Sequence, residues 1–233
     1  MSSAIDAFLE KQAGIYKKFD DGREAVVKDG FSPDPALVER KGGYLIALRP
    51  SALVCRWSEH LWASRRTSLS GVVRYGPAQL HTTLSDYRIV AGFNPDADSD
   101  AEATLNGLAD IASRAVSRIS SPIDCSYEGA TFNQTTVIAK GVPCSGFLDL
   151  ASLIVEEAND YGLALRLPWG AHITLARASA HVTHRDAWEI LGLLSENSMP
   201  EGMQKYTELV VGQLVPTPTS FEARFVRRFP LPA

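Results

Sequence analysis

The chain has 233 residues, 45% of them hydrophobic and 21% charged, which supports a sizeable buried core and excludes wholesale disorder. Its formal net charge of −4 argues against a broad grip on duplex DNA, because such grips rest on excess Lys and Arg. Cys55, Cys125 and Cys144 are scattered and odd in number, no apolar run reaches membrane-spanning length, and Met1-Ser2-Ser3-Ala4-Ile5-Asp6 has no signal-peptide layout, so a soluble, cytoplasmic protein is expected.

Residues 1–40 read as an accessory segment. Ile5, Phe8, Leu9 and Ile15 have helical spacing, with Ser3 as a cap. Lys18 to Gly22 then reads as a turn, and Pro33 and Pro35 interrupt the stretch after it. Residues 41–233 read as one bilobal unit. Its first strand is the apolar run Gly43 to Leu48, followed by a helix from about Ser51 to Ser64. Tyr75-Gly76-Pro77 marks a turn before a strand over Ala78 to Tyr87.

An acidic loop, residues 94–100, precedes a helix marked by Leu105, Leu108, Ile111, Ala112, Ala115 and Ile119. Ile123 to Tyr127 and Thr135 to Lys140 read as strands. Phe147 to Tyr161 reads as a helix closed by Gly162. A strand over residues 170–177, a helix over Asp186 to Glu196, and strands over Tyr206 to Val215 and Phe221 to Arg228 complete the chain. Pro216-Thr217-Pro218 joins the last two. The order suggests an α+β fold with two similar halves, each a mostly antiparallel sheet flanked by helices, around a central cleft.

Two of these strands carry the same tetrad. One reads His81-Thr82-Thr83-Leu84, the other His172-Ile173-Thr174-Leu175. Side chains alternate faces along a strand, so each His shares a face with the Thr two residues on. Two such strands across a cleft would bring two imidazoles and two hydroxyls to one small anion. His181-Val182-Thr183 has the same spacing, but His184 follows where an apolar residue belongs and a helix begins there. Thr183 reads as its cap or as a turn residue before it, and His181 and His184 as exposed loop residues, while His60 lies within a helix and reads as structural. A metal centre needs further ligands, and only Asp86 stands near, so neither metal nor cofactor is expected.

The paired tetrads resemble those of the 2H phosphoesterase superfamily, which includes the RNA 2′-5′ ligase-like and cyclic nucleotide phosphodiesterases. The resemblance implies a bilobal LigT-like fold and acid–base chemistry on a 2′,3′-cyclic phosphate or 2′-5′ linkage. Its partner would be a small nucleotide or an RNA terminus. His81, Thr83, His172 and Thr174 would be catalytic, with His172 by analogy the base and His81 the acid. It also implies that Arg177, five positions after His172, contacts phosphate, although strict alternation aims it away from the His172 face. Arg88 is a weaker candidate on the other side. Tyr75, Tyr87 and Trp169, with Phe132 on a neighbouring loop, are candidates to stack on a base. The same residues fit a binding module without turnover, or an RNA ligase running the reverse reaction. A cleft built within one chain suggests a monomer.

Overall fold

The computed structural model describes residues 4–63, 70–217 and 219–232. The expected cap at Ser3, the helix end at Ser64 and Pro218 of the last turn lie outside them.

In chain order the elements are α1 (Ala4–Asp21), α2 (Arg23–Asp29), α3 (Pro35–Val38), β1 (Gly42–Arg49), α4 (Ala52–Ala63), β2 (Val72–Arg74), β3 (Thr82–Val90), α5 (Ala101–Arg118), β4 (Asp124–Phe132), β5 (Thr136–Pro143), α6 (Ser145–Asp160), β6 (Ala171–Ala178), α7 (His184–Glu196), β7 (Met203–Lys205), β8 (Glu208–Pro216) and β9 (Phe221–Pro230). They form two sheets, ordered β3-β1-β8-β9 and β2-β6-β5-β4-β7. Each ladder is antiparallel. The expected α+β architecture is therefore present, with helices against both sheets.

β1 shows why the first sheet forms. Its run Gly42–Arg49 is buried almost throughout, as a central strand covered on both faces requires. Tyr44, Ile46 and Leu48 enter the main core, while Leu45 and Ala47 join Val210 in a second, smaller cluster on the opposite face. α5 and α6 bury Leu108, Ile111, Ala112, Phe147, Leu150 and Ile154 at helical spacing, and the two helices pack on each other. α7 starts where Thr183 accepts a hydrogen bond from the Asp186 amide, the cap expected from its sequence. His181 is exposed in the loop before it, His184 is its exposed first residue and not the loop residue expected, and His60 is exposed on α4.

Buried hydroxyls join the two sheets. Thr82 on β3 shares a hydrogen bond of 2.9 Å with the Tyr206 hydroxyl, which shares one of 3.0 Å with Tyr127 on β4. At the cleft, the Ser85 hydroxyl on β3 donates to the Arg166 carbonyl at 3.1 Å, in the loop that leads into β6.

The N-terminal helix differs from the sequence expectation. Lys18 to Asp21 continue α1, and only Gly22 breaks it. Tertiary contacts hold this last turn: Phe19 stacks on Trp169 at 6.3 Å between centroids, and Asp20 accepts from Thr131 at 2.7 Å. Gln12 and Tyr16, one turn apart on the same helical face, reach the backbone of β5 and β6. Gln12 donates to the Gly141 carbonyl at 2.9 Å and accepts from the Ala171 amide at 2.7 Å. The Tyr16 hydroxyl accepts from the Gly141 amide at 3.1 Å. A Cβ at Gly141 would lie 2.0 Å from the Ala171 carbonyl, so only glycine permits this approach.

Candidate active site

The two tetrads meet in one cavity of about 520 Å³, lined by His81, Thr83, His172, Thr174 and Arg177 among others. A volume of this size suits a small-molecule ligand. Lys41, Arg166, Arg177 and Asp86 are its charged lining residues, and Lys41 is paired with Glu39 at 3.0 Å and Arg177 with Asp34 at 2.6 Å, so most of the positive charge at the cleft is offset within the protein. Among the described residues, no three His, Cys, Asp or Glu side chains gather to hold a metal ion.

Each histidine is fixed in the same way. A carbonyl oxygen can only accept, so the ring nitrogen facing it carries the proton. Nδ1–H of His81 donates to the Gln79 carbonyl at 2.7 Å, and Nδ1–H of His172 faces the Gly170 carbonyl at 3.4 Å. In both, the carbonyl belongs to the residue two positions earlier, and Nε2 is left for a ligand. Burial pushes the His81 pKa down to about 4, with the Arg49 and Arg177 charges adding to it. Burial also pushes His172 down to about 3, followed by the charges of Arg177 and His81. Both rings are thus neutral near pH 7 in the free protein.

The turn before His81 is gathered by Arg49 at the end of β1. Its guanidinium donates to the Pro77 carbonyl at 2.6 Å, the Ala78 carbonyl at 3.2 Å and the Leu80 carbonyl. Gln79 is locked as well, accepting from the Gly76 amide at 3.0 Å and donating to the Phe221 carbonyl at 2.6 Å.

Strand irregularities decide which later residues reach the cleft. In β3, Thr83 pairs with Ala47 and Ser85 with Ile46, so Leu84 is an extra residue. In β6, Thr174 pairs with Ile138 and Ala176 with Val137, so Leu175 is extra. Each bulge reverses the alternation beyond it. This brings Arg177 onto the His172 face, where it lines the cleft, against the orientation that a regular strand would give. The same reversal turns Tyr87 away. It pairs with Tyr44 and packs against the main core, so the stacking role expected for it is not available. Asp86 takes the cleft position instead. Arg88 stands on the same turned strand with its guanidinium over the Tyr87 ring, and it does not line the cavity.

The other aromatic candidates are also corrected. Trp169 lines the cavity, but His172 lies on its face at 4.0 Å with 22° between the rings. Phe19 and Tyr16 pack on the same indole. Trp169 thus supports the His172 ring, and that face is closed to a base. Tyr75 lines the cavity with its ring buried edge-on to Phe221. Phe132 is buried against Phe31, away from the cavity.

Sequence reasoning missed Asp34. Its carboxylate, 3% exposed as a residue, accepts from Arg177 Nη1 at 2.6 Å and from the Thr136 hydroxyl at 2.8 Å. The available signal is an Asp directly before Pro35, which marks a helix start, and Asp34 does cap α3.

No protein-family model matches the sequence, and no curated protein matches it. Solved structures do match. Escherichia coli LigT in apo form superposes with a TM-score of 0.52 at 17% identity, covering 83% of this chain and 99% of that one. A crystal structure described as a phosphoesterase gives 0.52 at 19% identity, covering 82% and 98%. A protein of Thermus thermophilus gives 0.52 at 18% identity, covering 81% and 97%. Nearly the whole length of each of those proteins is matched, so this chain has a LigT-like α+β fold, two antiparallel sheets flanked by helices.

Proposed function

We propose that the chain is a metal-independent 2H-type phosphodiesterase that hydrolyses 2′,3′-cyclic phosphates or 2′-5′ linkages of nucleotides or RNA ends. The observation that carries this reading is the matched pair of histidines. Both line one cavity, and both have Nδ1 committed to a carbonyl, so two Nε2 atoms are left for a phosphate. E. coli LigT, which shares the fold, has been crystallised with 3′-AMP and with phosphate, which supports a nucleotide phosphate as ligand.

The chemistry follows from charge. Two neutral imidazoles supply two bases and no acid. An entering phosphodiester anion favours a proton on one Nε2, which offsets the cost of charging a buried ring. Burial depresses both rings, His172 at least as far as His81, so the shared proton favours His81 and leaves His172 neutral, in line with the acid and base roles that the family resemblance implies. Nε2 of His172 takes a proton from water as its oxygen bonds to phosphorus. The bond from phosphorus to the ribose oxygen breaks, and that oxygen takes the proton from Nε2 of His81. The Thr83 and Thr174 hydroxyls donate to the non-bridging oxygens, whose charge grows in the transition state. Residues 1–40 act as part of this machine, because α1 braces the indole behind His172 and Asp34 holds Arg177.

The test is turnover of a nucleoside 2′,3′-cyclic phosphate in excess EDTA. His81→Ala and His172→Ala are each expected to cost about 10²- to 10⁴-fold in kcat. Nucleotide binding without turnover in the wild type would overturn the catalytic reading in favour of a binding module.

A further inference from the structure

Beside the tetrads, the cleft holds two buried polar atoms that no hydrogen bond in the protein satisfies. Tyr75 is 5% exposed, and its hydroxyl has no acceptor among the described residues, because the group beside it is the Arg177 guanidinium, which can only donate. Nε–H of Arg177 is buried and equally unpartnered. Both residues line the cavity. A buried donor left unpaired is costly, so two together point to an acceptor that arrives with a ligand.

The surroundings aim both groups. Arg177 is tethered by one arm only, since Asp34 takes Nη1 and leaves Nε free. Asp34 itself cannot swing, because its other oxygen accepts from the Ala36 amide at 2.8 Å and Thr136 donates to the oxygen that holds Arg177. The Arg177 guanidinium also lies over the Phe221 ring at 5.9 Å, and Phe221 packs edge-on against Tyr75. Tyrosine and arginine therefore stand together, wedged by one phenylalanine. The Tyr75 amide donates to the Leu175 carbonyl at 2.9 Å, which ties the tyrosine to the bulge that delivers Arg177.

We propose that the Tyr75 hydroxyl and Arg177 Nε–H together bind an oxygen of the substrate phosphate, and that Asp34 is the positioning residue that aims the guanidinium. The proposal rests on the reading of the cleft as a phosphate site, and it adds a donor and a positioning group outside the two tetrads. Burial pushes the Tyr75 pKa up to about 12, against the pull of the neighbouring Arg177 charge, which keeps the hydroxyl protonated as a donor at neutral pH.

The experiment is titration of the full chain with inorganic phosphate, read by calorimetry and by the Nε–H NMR signal of Arg177. It needs no turnover, so it stands even if the catalytic reading fails. Tyr75→Phe removes one atom. It is expected to weaken phosphate binding about tenfold, as loss of a hydrogen bond to a charged group does. It is also expected to hold or raise the thermal midpoint, because an unsatisfied group leaves the interior. Asp34→Asn is expected to weaken binding to a similar degree and to broaden the Arg177 Nε–H signal, with Asp34→Glu restoring part of both. Three results overturn the proposal: phosphate affinity unchanged in Tyr75→Phe, no response of Arg177 Nε–H to phosphate in the wild type, or no phosphate binding at millimolar concentration. If Asp34→Asn does not fold, Tyr75→Phe and the wild-type NMR titration still decide.

Discussion

Leu84 and Leu175 hold the same place in the two halves of the molecule: each ends a tetrad, and each is the extra residue where its strand slips against its neighbour. Beyond the slip, the residue five positions after each histidine faces the cleft, and in one half it is Asp86 while in the other it is Arg177. The two half-sites thus share a frame and differ in charge. The arginine is held by Asp34, whereas Asp86 is exposed at the mouth.

Asp86 should therefore oppose an entering anion. Asp86→Asn is expected to raise kcat/KM for a cyclic nucleotide about two- to fivefold at low salt, through faster encounter. The gain should vanish at high salt, where exposed charges are screened. A gain that persists in high salt would mean that Asp86 touches the substrate directly.

The pH response follows from the two depressed histidines. An unfolded histidine titrates near pH 6.5, whereas the folded rings titrate at about 4 and about 3. The unfolded chain therefore binds more protons within that window, and stability falls as pH drops below about 6.5. The contribution is fully present above that value. The double variant His81→Asn/His172→Asn should lose this part of the acid slope in thermal melts. For activity, the free enzyme needs one protonated ring, so kcat/KM should rise as pH falls from 8 towards 5, and phosphate binding should take up protons. A flat profile, with no proton uptake by calorimetry, would contradict the assignment.

Arg49 should matter although it touches no reacting atom. It gathers three carbonyls of the turn that carries His81, and a lysine cannot reproduce that fork. Arg49→Lys is expected to lower kcat about tenfold and leave KM nearly unchanged. The acid limb of the pH profile should stay in place, since lysine keeps the positive charge that helps to hold the His81 pKa low, whereas Arg49→Gln should move it to higher pH. A change in melting temperature alone, with kcat intact, would reduce Arg49 to a structural brace.

The hydroxyl chain from Thr82 through Tyr206 to Tyr127 should report on how the sheets are joined. Thr82→Val removes one partner from a fully buried group, so a loss of about 1–3 kcal/mol is expected in denaturant melts. Tyr206→Phe removes the central hydroxyl and should cost at least as much, while Tyr127→Phe leaves the Thr82 contact intact and should cost less.

The sequence makes the tetrads legible because a His and a Thr two residues apart need only a strand to share a face. The helices of both halves are equally plain in their apolar spacing. Arg177 is out of reach for a physical reason: its side depends on a bulge set by pairing with β5, and nothing local marks Leu175 as the extra residue. Tyr87 is turned by the corresponding bulge at Leu84, which is just as silent in the sequence. The grip of Asp34 on Arg177 spans 143 positions, and the face of Trp169 is taken by a ring that only folding brings there. Local rules supply the reactive groups, and tertiary pairing decides what surrounds them.

Where β5 meets β6 beside His172, the ladder is completed from outside by Gln12 and Tyr16 of the first helix. The amides of Gly141 and Ala171 are then shielded from deuterium only while that helix stays docked. Their exchange rates give a natural gauge of how often the site loosens, and a bound phosphate analogue should slow both amides together.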